Sequence, residues 1–210
     1  LLQYPVTKNV PEPVVRLLDD SATEHWVFQT GLRSAVGGAE PNHLGTFRTP
    51  NNDYTLAPGQ DELVVTLDWV GEGPISARKT YTFRRGHYAV DLTLTVAANG
   101  ATAWRGAPYV QMERVHHALK RSYTPVDSYS FKGPVLYDGD SFETIDFDDL
   151  ASSPITQTVR GGWFAAIQHH FLAAAVPPGD ASYRYDAVAR GPAFQLSAIG
   201  PLADANPGMP

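Results

Sequence analysis

The chain has 210 residues, of which 43% are hydrophobic and 18% charged, a composition typical of globular proteins that excludes a disordered chain. With 16 basic and 22 acidic residues the net charge is −6, so no general attraction to nucleic acid or anionic lipid is expected. The absence of cysteine excludes disulfides and thiolate metal sites. This length suits one domain with one substantial core.

The longest apolar stretch runs from Gly161 to Pro178. Polar residues at 168–170 interrupt it, so it does not supply the roughly 20 apolar residues of a membrane span. The opening residues, Leu1 to Pro5, have neither the basic region nor the cleavage site of a signal peptide. We therefore expect no membrane span within these residues, and any targeting segment to be removed or to lie upstream.

The clearest strand signal in chain order is a run of alternating apolar residues at Glu62–Val70. Two further alternating runs, Ala77–Arg84 and Tyr88–Val96, predict a hairpin. Arg85-Gly86-His87 lies between them, and its glycine permits the positive φ that a tight connection needs. An Asn99-Gly100 turn then leads to a strand at Trp104–Val115, so the first half is predicted to be a β-meander.

The second half opens with a polar, proline-interrupted stretch, Ala118 to Gly133, which predicts a long loop. Asp146–Ala151 predicts a short helix capped by Asp146 and ending before Pro154. Leu202–Pro210 has the composition of a loop. Strands that follow one another without alternating helices predict an all-β sandwich of antiparallel sheets. The remaining predicted strands are Val135–Tyr137, Phe142–Ile145, Ile155–Val159, Trp163–Val176, Tyr183–Ala189 and Phe194–Ile199.

Seven histidines raise the question of a metal site. Four of them form the adjacent pairs His116-His117 and His169-His170. Adjacent residues on a strand point to opposite faces, so neither pair closes easily on one ion. We expect no metal site.

Two other groups resemble catalytic motifs. Gly139-Asp140-Ser141 is similar to a serine-hydrolase nucleophile motif, but no strand-to-helix elbow surrounds it, and turn residues are the simpler interpretation. The carboxylates of Glu143, Asp146, Asp148 and Asp149 could serve glycoside hydrolysis at the right separation. A helix N-terminus explains three of them without any substrate. We predict no catalytic residue.

Two segments carry a specific likeness to a known family. They are Phe83-Arg84-Arg85-Gly86-His87-Tyr88-Ala89-Val90, and Gly161-Gly162-Trp163-Phe164-Ala165-Ala166 continuing through His170-Phe171 to Pro177. The opening Leu1 to Pro5 and the closing Ala198-Ile199-Gly200 agree with them in order and spacing. Across nearly its whole length the chain resembles the large periplasmic domain of the YidC-type membrane protein insertase of Gram-negative bacteria.

The resemblance implies a β-supersandwich of the galactose mutarotase-like type. It implies that residues 1–210 form a single periplasmic domain that lacks its first strands and its C-terminal strand and helix. It also implies a non-catalytic domain without cofactors, at the periplasmic face of the inner membrane, that assists insertion and folding of inner membrane proteins. The membrane-embedded insertase core is not part of this chain, so the isolated chain is expected to be a monomer without insertase activity.

The resemblance further implies contact with SecF, an auxiliary subunit of the Sec translocon, and possibly with other Sec components. The matching region runs from about Phe142 to Pro178. Within it we predict exposed contacts at Phe142, Asp148, Asp149 and Gln157. In the same region, Trp163 and Phe164 are predicted to pack in the core.

Two alternatives from other classes stay open at this point. A mutarotase-like, sugar-active enzyme would need a histidine general acid opposite a carboxylate, for which Glu113 with His116 or His117 is the available pair. A carbohydrate- or peptide-binding sandwich would need neither. A cleft where histidine and glutamate converge would favour the enzyme, and an exposed aromatic row would favour the binding module.

Overall fold

The computed structural model describes residues 4–7, 10–117, 131–168 and 171–208. Within them the chain forms antiparallel strands and one short helix, α1 (Phe147–Ser152), which confirms the all-β prediction. The strands are β1 (Pro5–Thr7), β2 (Val10–Val14), β3 (Trp26–Ser34), β4 (Phe47–Arg48), β5 (Glu62–Trp69), β6 (Ile75–Arg84), β7 (Val90–Ala98), β8 (Trp104–Val115), β9 (Lys132–Tyr137), β10 (Phe142–Thr144), β11 (Ile155–Arg160), β12 (Trp163–Gln168), β13 (Phe171–Ala175), β14 (Ser182–Arg190), β15 (Ala193–Ile199) and β16 (Ala203–Ala205).

The chain divides into two compact units. Unit 1 comprises Leu1–Gln29 and Val110–Gly200, and unit 2 comprises Thr30–Tyr109 and Pro201–Pro210. Strands β3 and β8 each contribute residues to both units. Each unit has its own cluster of buried apolar side chains.

Unit 1 contains a four-stranded sheet in the order β10-β9-β12-β13, in which neighbouring strands are antiparallel. A second sheet has the order β11-β14-β15-β8, and β3 also pairs with β8. The core of unit 1 is built from large side chains buried between strands, together with the helix residue Leu150. Its largest fully buried members are Tyr185, Phe164, Phe194, Met112, Leu150 and Leu196.

Unit 2 contains the sheet β4-β5-β6-β7. Its core is smaller, because the described cluster has only five buried members with half-buried neighbours such as Trp69 and Leu94. Strand β16 pairs with the first residues of β8, at Ala203↔Gly106 and Ala205↔Trp104. The five buried members are Leu32, Ile75, Ala77, Trp104 and Ala205.

Several predicted elements are confirmed at nearly their predicted bounds. Strands β5, β6 and β7 form a meander as predicted, and Gly86 has the expected positive φ of 76°. Strand β8 has its predicted bounds, but it pairs with β15, β16 and β3 rather than with β7, so the meander ends at β7. The Asp146 side chain accepts a hydrogen bond from the Asp148 N–H at 2.8 Å, so it caps α1 as predicted. These elements share a strong local pattern, either alternation or a cap residue.

Other predictions are wrong. The single strand predicted at Trp163–Val176 is two antiparallel strands, β12 and β13, whose ends pair at Gln168↔Phe171. The predicted C-terminal loop contains β16, and β1 to β4 were not predicted. Strand β9 begins at Lys132, inside the predicted loop, whose residues 118–130 lie outside the described part.

None of the helices described is long and apolar enough to cross a membrane.

Candidate partner-binding surface

At one end of the sheet β10-β9-β12-β13, the face opposite the core of unit 1 carries a row of aromatic side chains, whereas Val135 and Ala165 further along the same face are buried. Phe142 pairs with Tyr137, and Tyr137 pairs with Trp163, so the three residues lie side by side on three neighbouring strands. The next residues on the inner strands, Leu136 and Phe164, point the other way, into the core of unit 1. We call Phe142, Tyr137 and Trp163 the aromatic row.

The aromatic row is accessible to a partner. The Phe142 side chain is 61% exposed, and Tyr137 and Trp163 are half-buried. The Tyr137 and Trp163 rings stack with centroids 5.4 Å apart and planes 21° apart. Stacking holds two large rings in one orientation, so the surface is ordered before any partner arrives.

Trp163 is positioned by the turn before β12. Gly162 is required there, since a Cβ atom would lie 2.6 Å from the Tyr137 carbonyl oxygen. The buried Tyr185 hydroxyl donates a hydrogen bond to the Gly162 carbonyl oxygen at 2.6 Å. Burial raises the pKa of Tyr185 to about 12, so the hydroxyl remains a donor at neutral pH. This local arrangement fixes the backbone immediately before Trp163.

Tyr137 and Phe142 are connected by a tight turn. The Asp138 carboxylate accepts hydrogen bonds from the Ser141 N–H at 2.8 Å and the Asp140 N–H at 2.9 Å. Both hydrogen bonds lower the pKa of Asp138, the one from Ser141 having the larger effect, and they keep the carboxylate ionised. The Tyr137 hydroxyl donates to the Gly139 carbonyl oxygen at 2.9 Å. Residues 139–141 are therefore turn residues, as predicted, rather than a nucleophile elbow.

The aromatic row lies in an acidic part of the chain. Residues 133–159 contain no lysine, arginine or histidine, and they hold six acidic residues, which we call the acidic segment. All six are exposed. Two of them, Asp138 and Asp146, also accept backbone hydrogen bonds. The acidic segment consists of Asp138, Asp140, Glu143, Asp146, Asp148 and Asp149.

The structure places the predicted contact residues as follows. Phe142, Asp148 and Asp149 are exposed, as expected. Gln157 is not fully exposed but half-buried. It lies on the side of β11 that also carries Ile155 and the buried Val159, so it is less accessible than predicted. Whether any of the four binds a partner stays a prediction.

Of the two residues predicted to pack in the core, only one does so. Phe164 is fully buried in the core of unit 1, as predicted. Trp163 is instead half-buried on the opposite face, in the aromatic row. Because adjacent strand residues point to opposite faces, Trp163 and Phe164 cannot both face one core, and that signal was present in the sequence.

The structure does not bring together the predicted enzymatic pair. Glu113 Oε1 lies 3.9 Å from His25 Nε2, whereas His117 Nε2 lies 3.3 Å from the carboxylate of Glu24. His116 stacks on the Phe147 ring with centroids 4.5 Å apart. The contacts that the structure shows for Glu113, His116 and His117 are therefore with other residues, and nothing here favours the enzymatic alternative.

Glu24 and His117 lie at an open cleft of unit 1 with a volume of about 220 Å³. Both side chains are more than half exposed, which leaves their ion pair in contact with water. Among the described residues, no three His, Cys, Asp or Glu side chains are grouped so that they could hold a metal ion. The pair His169-His170 lies outside those residues. The cleft is lined by Glu24, Arg114, Val115, His116, His117, Lys132, Gly133, Gln168 and Phe194.

Comparison with known proteins gives one consistent match. A family model described as the YidC periplasmic domain matches residues 1–209. The membrane protein insertase YidC of Methylococcus capsulatus is 36% identical over 208 residues, which cover 97% of this chain and 37% of the relative. The protein of the same name from Thioalkalivibrio sulfidiphilus is 36% identical over 180 residues, covering 83% of this chain and 31% of the relative.

A third relative, the membrane protein insertase YidC of Xanthomonas campestris pv. campestris, is 33% identical over 216 residues, covering 100% of this chain and 37% of the relative. The chain thus spans about a third of the length of the curated relatives it matches. The family match and these relatives cover nearly every residue of the chain, including both segments of the initial resemblance. The chain belongs to the YidC periplasmic domain family.

Proposed function

We propose that the chain is a non-catalytic accessory domain of a membrane protein insertase, at the periplasmic face of the bacterial inner membrane. In this role it assists insertion and folding of inner membrane proteins through noncovalent contacts and needs no cofactor. The proposal is supported by membership of a periplasmic domain family and by relatives that carry the name membrane protein insertase. The aromatic row, with its exposed Phe142 ring, supports a binding role.

The proposed partner is SecF, the auxiliary subunit of the Sec translocon, with other Sec components as further partners. The proposed contact surface runs from about Phe142 to Pro178 and includes Phe142, Asp148, Asp149 and Gln157. The observation that carries this surface is the exposed Phe142 ring close in sequence to the exposed carboxylates of Asp148 and Asp149. Aromatic anchors are common in protein interfaces, and charges at the rim of an interface increase the association rate.

A charge-reversal variant tests the surface. Asp148→Lys with Asp149→Lys should weaken binding of the chain to the periplasmic part of SecF at least about fivefold, because rim charges govern association. Binding is measured by biolayer interferometry. Both residues lie in the first turn of α1, where acids are worth about 0.3–1 kcal/mol each, so the melting temperature must be measured too.

The matched control reverses two exposed acids of unit 2, as Asp53→Lys with Glu72→Lys. It changes the net charge equally and should leave the affinity close to that of the parent chain. Unchanged binding in the Asp148 and Asp149 variant, with the fold intact, removes this surface from the account.

We also propose that residues 1–210 fold as a single domain, since β3 and β8 each supply residues to both units. The test is urea unfolding followed by ¹⁹F NMR of labelled tryptophans. Trp26 and Trp163 report on unit 1, and Trp69 and Trp104 report on unit 2. Coincident midpoints are expected of one cooperative domain, and separate midpoints would contradict it.

A further inference from the structure

We propose that the aromatic row and the acidic segment together bind a partner segment in which apolar side chains are flanked by lysine or arginine. This rests on the proposed function and adds the chemistry of the partner. The partner is a protein segment, because a net negative surface repels both nucleic acid and anionic lipid.

The distribution of charge carries the first part of the argument. The acidic segment holds six carboxylates, and residues 133–159 hold no basic residue. The rest of the chain has sixteen acidic and sixteen basic residues, so the whole net charge of −6 falls on the acidic segment. A charge concentrated in this way attracts a cationic partner at long range.

The carboxylates of the acidic segment are also unpaired. None of the six forms an ion pair with any other residue in the described part of the chain. In unit 2, by contrast, Asp68 pairs with Arg78 at 2.5 Å across two strands, and Asp91 pairs with Arg84. Within the described residues, acids on the sheet of unit 2 are thus balanced by arginines, whereas those of the acidic segment have no such partner and are available to an external cation.

The aromatic row supplies the apolar part of the surface. Phe142 and Tyr137 flank the turn that holds Asp138 and Asp140, so apolar and anionic groups lie within a few residues of each other. Exposed aromatic faces bind aliphatic and aromatic side chains, and they attract the cationic heads of lysine and arginine. Both contacts are available to one short segment that alternates apolar and basic residues.

Two synthetic peptides of equal length test the chemistry. Both have a central Leu-Phe-Leu, which is flanked by two lysines at each end in one peptide and by two glutamates in the other. Each is titrated into the ¹⁵N-labelled chain. The lysine peptide should bind at least about tenfold more tightly and shift the amides of residues 137–144 and the Trp163 indole. Equal affinities, or shifts confined to other residues, overturn the proposal.

Two variants separate the apolar and ionic contributions. Phe142→Ser should weaken binding of the lysine peptide about tenfold, the scale of an aromatic anchor. Asp140→Asn with Glu143→Gln should weaken it several-fold and flatten its salt dependence. All three substituted side chains are exposed and form no ion pair or side-chain hydrogen bond within the described residues, so the fold should be kept.

The matched controls are Leu172→Ser, which removes an apolar group that is 55% exposed on the same sheet face, and Glu72→Gln in unit 2. Both should bind the lysine peptide as the parent chain does. Equal weakening in the controls overturns the proposal. Self-association of the chain that Phe142→Ser abolishes would assign the aromatic row to a second copy and would also overturn it.

Failure of this inference can be distinguished from failure of the proposed function. If SecF binds and the Phe142 and Asp140 variants leave that binding unchanged, this inference falls and the accessory role stands. If SecF does not bind at all while the lysine peptide binds as expected, the chemistry of the surface stands and SecF is the wrong partner.

Discussion

Each unit buries a cationic side chain against an aromatic ring, and the two side chains differ in the pH at which they lose their charge. In unit 1 the Arg114 guanidinium lies 3.9 Å from the centre of the Trp26 ring and donates to the carbonyl oxygen of Ile167 at 3.1 Å and to Gln168 Oε1 at 2.8 Å. In unit 2 the Lys79 ammonium lies 4.1 Å from the centre of the Phe47 ring and donates to the Thr30 carbonyl oxygen at 2.7 Å.

Burial lowers the pKa of both cations, but only the pKa of Lys79 falls to a mildly alkaline value. The pKa of Arg114 falls to about 10, so the guanidinium is charged at neutral pH. The pKa of Lys79 falls to about 8, and desolvation is the cause. Arginine spreads its charge over five donors, whereas lysine concentrates it on one nitrogen that needs more water. The same type of contact therefore makes the stability of unit 2 sensitive to mildly alkaline pH through Lys79, whereas Arg114 in unit 1 keeps its charge there.

The largest effect is expected from removing the cation of unit 1. Arg114→Ala should lower the free energy of unfolding by about 3 kcal/mol, because it leaves the Ile167 carbonyl oxygen without its donor and uncovers the Trp26 ring. Urea unfolding at pH 7 measures the loss. Arg114→Lys should recover only part of it, since an ammonium cannot reproduce both hydrogen bonds. A loss below about 1 kcal/mol would show that Arg114 is not part of the packing of unit 1.

A smaller, pH-dependent effect is expected from the cation of unit 2. The pKa of Lys79 is about 8 in the folded chain and 10.5 in the unfolded one, so between these values the unfolded state binds more protons and stability rises with pH. Between pH 8 and 10 the rise should be about 1 kcal/mol, reduced from the ideal value because the ammonium is not wholly shielded from water.

Lys79→Met removes this titration, so the difference in unfolding free energy between parent and variant should change over pH 8–10 and be constant below pH 7. Measurements should stop near pH 10. Burial raises the pKa of Tyr109, Tyr183 and Tyr185, so at higher pH the unfolded state releases their protons first and their contribution to the stability of the fold falls. Parallel curves for parent and variant would contradict the assignment of Lys79 as the titrating group.

The smallest effect is expected from the ring beneath Lys79. Phe47→Leu keeps an apolar contact but removes the attraction of the ring for the ammonium, worth about 0.5–1 kcal/mol. The charged form then loses support, so the pKa of Lys79 should fall further. ¹³C NMR of the labelled lysine side chain follows this directly, and an unchanged or raised pKa would show that the ring does not stabilise the charge.

Sequence predicted the regular part of unit 2 because its sheet is buried on one face. Residues of β5, β6 and β7 alternate between apolar and polar, and Lys79 falls in the apolar alternation between Ala77 and Tyr81. That position was a signal of burial. The carbonyl of Thr30 and the ring of Phe47, which make burial tolerable, come from strands whose pairing no local pattern reveals.

Strands without alternation could not be predicted in this way. Most residues of β3 are buried or half-buried on both faces, so its period-two signal is lost. The aromatic row illustrates a second limit. The opposite orientation of Trp163 and Phe164 is readable from their adjacency. The alignment of Phe142, Tyr137 and Trp163, however, depends on the register of three strands, of which β12 is separated from β9 and β10 by α1 and β11.

The surface around Phe142 is proposed to contact the Sec translocon. The most direct measurement is site-specific photo-crosslinking in cells, with benzoylphenylalanine at Phe142 of the proposed full-length insertase. A control carries it at Val36, which is 80% exposed in unit 2. We expect a crosslink to SecF from position 142 and none from position 36. Crosslinks of equal yield from both positions, or none from position 142 in cells that express SecF, would contradict it.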